Sequence, residues 1–104
     1  MANPWAGEVA LTIGGERRVM RLTLGALAEL EAATGAGGLI ELIERFEGGR
    51  FRAAEVSALL AAGLRACGWE GDAEGVARAE IAGGPMAAAR AAGELLARAF
   101  APPA

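Results

Sequence analysis

The chain has 104 residues and a net charge of −3; 54% of the residues are apolar, but 27 are Ala and another 16 residues are Gly, so the core must come from a modest set of large side chains. That length predicts a single domain over 1–104, and the balanced charge with periodic apolar residues excludes a disordered chain. No charge-free stretch approaches the roughly 18 residues of a membrane helix, and the N-terminus lacks the basic and apolar regions of a signal peptide, so the expectation is a soluble, cytoplasmic protein.

Glu8 to Ile13 alternates, with Val9, Leu11 and Ile13 on one face, and runs into Gly14-Gly15, a turn pair that accepts positive φ. Met20 and Leu22 share a face in the next stretch, which predicts a β-hairpin over about 8–22. An isolated hairpin is marginal in water, so helices must cover it. Thr23 is placed to cap a helix over about 24–34, with Leu24, Leu27 and Leu30 on one broad face and Gly35 as its stop. After Ala36-Gly37-Gly38, a helix over about 39–47 carries Leu39, Ile43 and Phe46 on one stripe, with Ile40 beside it and Glu41 four residues before Arg45.

Gly48-Gly49 ends that helix. The next, over about 53–66, has the cleanest pattern of all in Val56, Leu59, Leu60, Gly63, Leu64 and Cys67, and is expected to be the core helix. Asp72 can cap a short, weak helix over about 72–79, with Val76 and Ile81 as its large apolar residues. Gly83-Gly84-Pro85 then opens a last helix over about 85–100, where Met86, Ala89, Gly93, Leu96 and Phe100 form a stripe whose small members would admit a neighbouring backbone. The expected fold class is α+β, an N-terminal β-hairpin packed on a bundle of four to five short helices.

Residues bearing reactive groups are sparse. His, Tyr and Lys are all absent, which removes the common proton shuttle, Schiff-base chemistry and the phosphate-binding lysine. Cys67, the single cysteine, falls on the apolar stripe of the core helix and reads as an inert packing residue. Glu41, Glu44 and Glu47 recur at i+3 spacing, but Arg45 among them makes a solvated helical face the better reading than a cation site. No catalytic residue, metal or cofactor is expected, and an enzyme is the least favoured class.

Contacts are better represented than chemistry. Arg17, Arg18 and Arg21 cluster on the second strand and suit solubilising an edge or binding an acidic protein, since nucleic acid would need a larger basic footprint. Trp5, in a Pro-flanked segment, is a candidate interface anchor. Leu39, Ile43 and Phe46 are the candidate wall of an apolar partner groove, because Gly35, Gly37, Gly38, Gly48 and Gly49 leave their helix on flexible joints; completion of the core explains the same stripe equally well.

The stretches Gly7-Glu8-Val9-Ala10-Leu11-Thr12-Ile13 and Arg21-Leu22-Thr23-Leu24-Gly25-Ala26-Leu27-Ala28-Glu29-Leu30-Glu31, then Leu42, Arg45-Phe46, Gly49, Leu59 to Arg65, Leu95-Leu96 and Phe100, resemble the gene transfer agent family proteins. These are grouped with phage tail assembly chaperones and encoded among tail genes of alphaproteobacterial gene transfer agents and related prophages. The resemblance implies a non-catalytic assembly chaperone that engages the tail tape measure or tail tube protein, and it leaves self-association open. The alternative is a structural tail component that stays in the particle. A small DNA-binding regulator is disfavoured by the lack of a basic recognition helix, and no membrane or small-molecule partner is implied.

Overall fold

A computed structural model describes residues 7–34 and 38–100. The elements run β1 (Val9–Ile13), β2 (Glu16–Met20), α1 (Leu24–Thr34), α2 (Leu39–Glu47), α3 (Ala53–Ala66), α4 (Ala73–Arg78) and α5 (Gly84–Ala99). Among the described residues the architecture is α+β: an antiparallel two-stranded hairpin followed by five helices. None of the described helices is long and apolar enough to cross a membrane.

Gly14 and Gly15 take φ of 59° and 81°, the left-handed pair that a two-residue hairpin turn requires. The turn sets Ile13 opposite Glu16, Leu11 opposite Arg18 and Val9 opposite Met20. Val9, Leu11, Ile13 and Met20 are buried, so one face of the hairpin lies on the helices. The outer edge of β1 is covered by the chain between α4 and α5. There Gly14 N–H donates to the Glu80 carbonyl at 2.8 Å, Ala82 N–H donates to the Thr12 carbonyl at 3.0 Å, and Ile13 bridges to Ile81.

α3 is the centre of the fold. It packs against β2, α1, α4 and α5, and Leu59 to Leu64 are buried without interruption, as a helix surrounded on several sides requires. Leu59, Leu60 and Leu64 are joined by Met20, Leu30, Leu42 and Leu95 as the largest side chains fully removed from solvent. Each contributes about 1.5–3 kcal/mol of burial free energy. Gly63 lets α3 approach its neighbours closely: a Cβ there would stand 3.0 Å from Leu95 Cδ1 and 3.2 Å from Met20 Cβ.

Three expectations about helix faces are corrected. Leu24 is 84% exposed, because Ala26 and Leu30 are the buried pair of α1 and Leu24 sits about 200° around the helix from Ala26. On α5 the buried residues are Ala88, Ala91, Ala92, Leu95 and Leu96, whereas Met86 is 73% and Phe100 46% exposed. The inward face follows the small residues, which let α5 lie close to the core. A Cβ on Gly93 would meet nothing within 4 Å, so Gly93 is not a close-approach site. Cys67 is exposed rather than packed: α3 stops at Ala66, and Cys67, Gly68 and Trp69 turn away with their N–H groups on the Leu64, Arg65 and Leu64 carbonyls.

Local side-chain hydrogen bonds account for the starts of α1, α3 and α4. Thr23 Oγ1 accepts from Ala26 N–H at 3.1 Å, and Asp72 Oδ1 accepts from Gly75 N–H at 2.8 Å. At α3 the Glu55 carboxylate reaches back to accept from Arg52 N–H at 2.8 Å. The same carboxylate, buried, pairs with the Arg45 guanidinium of α2 at 2.8 Å. One residue therefore begins the core helix and anchors α2 to it.

Candidate functional site

α2 is held at few points. Leu42 is its buried residue, while Leu39, Ile43 and Phe46 are partly buried against the margin of the core and Ile40 is 75% exposed. Positive φ at Gly38 (108°) and Gly49 (71°) lies close to its two ends, the freedom that glycine supplies. Gly35 and Gly37 lie outside the described residues. The Phe46 ring stacks on Phe51 with centroids 4.7 Å apart and planes 14° from parallel.

Phe51 belongs at the same time to an open apolar groove of about 370 Å³ between α3, α4 and α5. Val56, Leu60, Val76, Ile81 and Ala88 form much of its wall. The Phe46–Phe51 stack thus joins the α2 stripe to the groove. Sequence reasoning did not find this groove, because its walls come from residues far apart in the chain whose apolar side chains each read as core. Exposed Met86, beside the groove residue Pro85, extends the apolar surface nearby.

The three arginines of the N-terminal region are not brought together as one patch. Arg17 faces Thr12 across the hairpin and Arg18 faces Leu11, so the two point to opposite faces of the sheet. Arg18 pairs with Glu16 at 3.5 Å, and Arg21 donates its backbone N–H to the Gly63 carbonyl at 3.2 Å. Arg17 instead borders a polar cleft with Arg90, Glu94 and Arg98 of α5. Arg98 is engaged there by Glu94 at 3.2 Å and by the Glu8 carbonyl, whereas Arg17 and Arg90 have no ion pair among the described residues. Trp5 lies outside the described residues.

Cys67 lies beside β2 in a small cleft with Arg17, Arg18, Val19, Leu64 and Trp69. Among the described residues no group of three His, Cys, Asp or Glu side chains is arranged to hold a metal ion. What the arrangement offers is contact surface: an apolar flank and groove on one part of the molecule, and a basic sheet edge on another.

Residues 6–102 match the model of a family described as phage tail tube protein, GTA-gp10. No curated protein and no solved structure matches the chain.

Proposed function

Because the chain belongs to the phage tail tube protein family, GTA-gp10, we propose that it is a structural component of the tail, retained in the particle and held there by contacts with a neighbouring tail protein. The family match across residues 6–102 carries this reading, since the matched description names a part of the tail rather than a factor that leaves it. The docking surface in this proposal is the α2 flank of Leu39, Ile40, Ile43 and Phe46, continued by the groove beyond Phe51. A neighbour's apolar side chains would fill the groove and remove this surface from water, the driving force of most protein association.

A transient assembly chaperone acting on the tape measure or tube protein is the second reading. The glycines with positive φ near both ends of α2 support it, because they would let the flank adapt to an unfolded or helical client. Both readings require the α2 surface to bind. Co-expression of the tagged chain with the tail proteins of its own particle tests that requirement. Ile40→Glu, at a site already in solvent, should leave the fold intact and lower co-purification strongly, and Phe46→Glu should do the same if it remains folded. Unchanged recovery of tail proteins by folded Ile40→Glu and Phe46→Glu chains would remove α2 from the interface.

A further inference from the structure

The two edges of the hairpin are treated differently. A two-residue turn makes Ile13 and Glu16 a hydrogen-bonded pair, and alternation then directs the backbone groups of Ala10 and Thr12 outward from β1 and those of Arg17 and Val19 outward from β2. On β1 the outward edge is occupied by the Thr12 and Gly14 bonds to the chain at Glu80 and Ala82. On β2 the N–H and C=O of Arg17 and Val19 meet no partner among the described residues. Beside them lies the cleft shared by Val19, Leu64, Cys67 and Trp69, about 240 Å³, which leaves room for a further strand's side chain.

The charge on this edge selects its occupant. Pairing β2 with β2 of a second copy in antiparallel fashion must match outward residues with outward residues. The registers set Arg17 against Arg17 or Arg18 against Arg18, and like charges directly opposite are destabilising; a register that sets Arg17 against Arg21 does the same and must also break the Arg21 N–H bond to the Gly63 carbonyl. On the outer face Arg17 has Arg90 across the neighbouring cleft, where Glu94 is paired with Arg98, and no carboxylate among the described residues is paired to Arg17. An added strand is therefore favoured when it places an acidic side chain opposite Arg17 and an apolar one, two residues on, opposite Val19.

We infer that the free edge of β2 is a docking strip for an extended acidic segment of another protein, which adds to the hairpin as a third strand. Backbone hydrogen bonds to Arg17 and Val19 give the affinity, and Arg17 and Arg18 give the preference for acidic sequence. The inference rests on the tail reading only for where such a partner is found; the strip itself is defined by the hairpin.

The test uses the full chain, isotopically labelled, and a synthetic peptide that repeats Glu-Glu-Val-Val, so that glutamate and valine stand two residues apart on one face of the strand, with its lysine counterpart as control. Amide exchange followed by NMR should show Arg17 and Val19 exchanging much faster than Leu11 in the free protein. The glutamate peptide should slow both amides, and should bind about tenfold more tightly than the lysine peptide, the size expected from a few cross-strand charge pairs. Arg17→Glu should reverse that preference. Attachment of a bulky maleimide to exposed Cys67 should weaken binding as well, since the thiol borders the strip. Slow exchange of Arg17 and Val19 in the free protein would overturn the inference, as would peptide binding that leaves these amides unprotected, or equal binding of both peptides. Peptide docking that persists when co-purification with tail proteins fails would refute the tail reading and leave the strip standing.

Discussion

Gly63 and Gly93 both lie inside helices with ordinary negative φ, yet their replacement by alanine should move stability in opposite directions. Relieving a helix interior of glycine contributes about 0.8–1.0 kcal/mol at either site. At Gly93 nothing opposes that gain, because the new methyl meets no atom within 4 Å. Gly93→Ala should therefore raise Tm by about 4–8 °C for a domain of this size. At Gly63 the methyl would stand 3.0 Å from Leu95 Cδ1 and 3.2 Å from Met20 Cβ. The leucine terminus can rotate aside, but a Cβ moves only with its strand, and Met20 is followed by the Arg21 N–H bond to the Gly63 carbonyl. Overpacking of this kind costs about 1–3 kcal/mol, so Gly63→Ala should come out between neutral and about 2 kcal/mol less stable. Urea and thermal unfolding of the two variants, with unchanged m-values, measure the difference. A Gly63→Ala protein stabilised as much as Gly93→Ala would refute the close packing of α3 on β2 and α5.

Leu60→Ala should cost about 2–5 kcal/mol in urea unfolding, since Leu60 is fully buried on the central helix. Glu55→Ala should cost several kcal/mol by leaving Arg45 without its buried partner and removing the cap on Arg52 N–H, whereas Glu74→Ala, which breaks only the exposed pair with Arg78, should cost about 0.3–0.5 kcal/mol. Cys67 should react fully with a thiol reagent under native conditions, and Cys67→Ser should change stability by less than about 0.5 kcal/mol, as expected at an exposed site.

The hairpin was legible because strict alternation and a Gly-Gly turn leave little choice of register: only one parity puts Val9, Leu11 and Met20 on the same face. The run from Leu59 to Leu64 was equally plain. Phase was lost where alanine dominates. On α5 the large residues Met86 and Phe100 drew the stripe through themselves, but a helix in a small bundle buries the side that comes nearest its neighbours, and alanines allow the nearer approach. Leu24 misled in a similar way, since three leucines in one short helix do not reveal which of them faces α3. Arg17 and Arg18 looked like one patch because adjacency in sequence hides the alternation of a strand. The groove and the covered edge of β1 had no local signal at all, since both are made by segments that meet only in three dimensions. The gene transfer agent and phage tail family expected from the stretch between Arg21 and Glu31 is the family matched, while the matched description names a tube protein and not a chaperone.

Retention in the tail is tested most directly by quantitative mass spectrometry of purified particles from a host that encodes this chain. The account predicts its peptides at a constant ratio to the other tail proteins across preparations, surviving a high-salt wash. Finished particles that lack the chain, while it is abundant in cells assembling them, would contradict that claim and give the assembly chaperone reading its place.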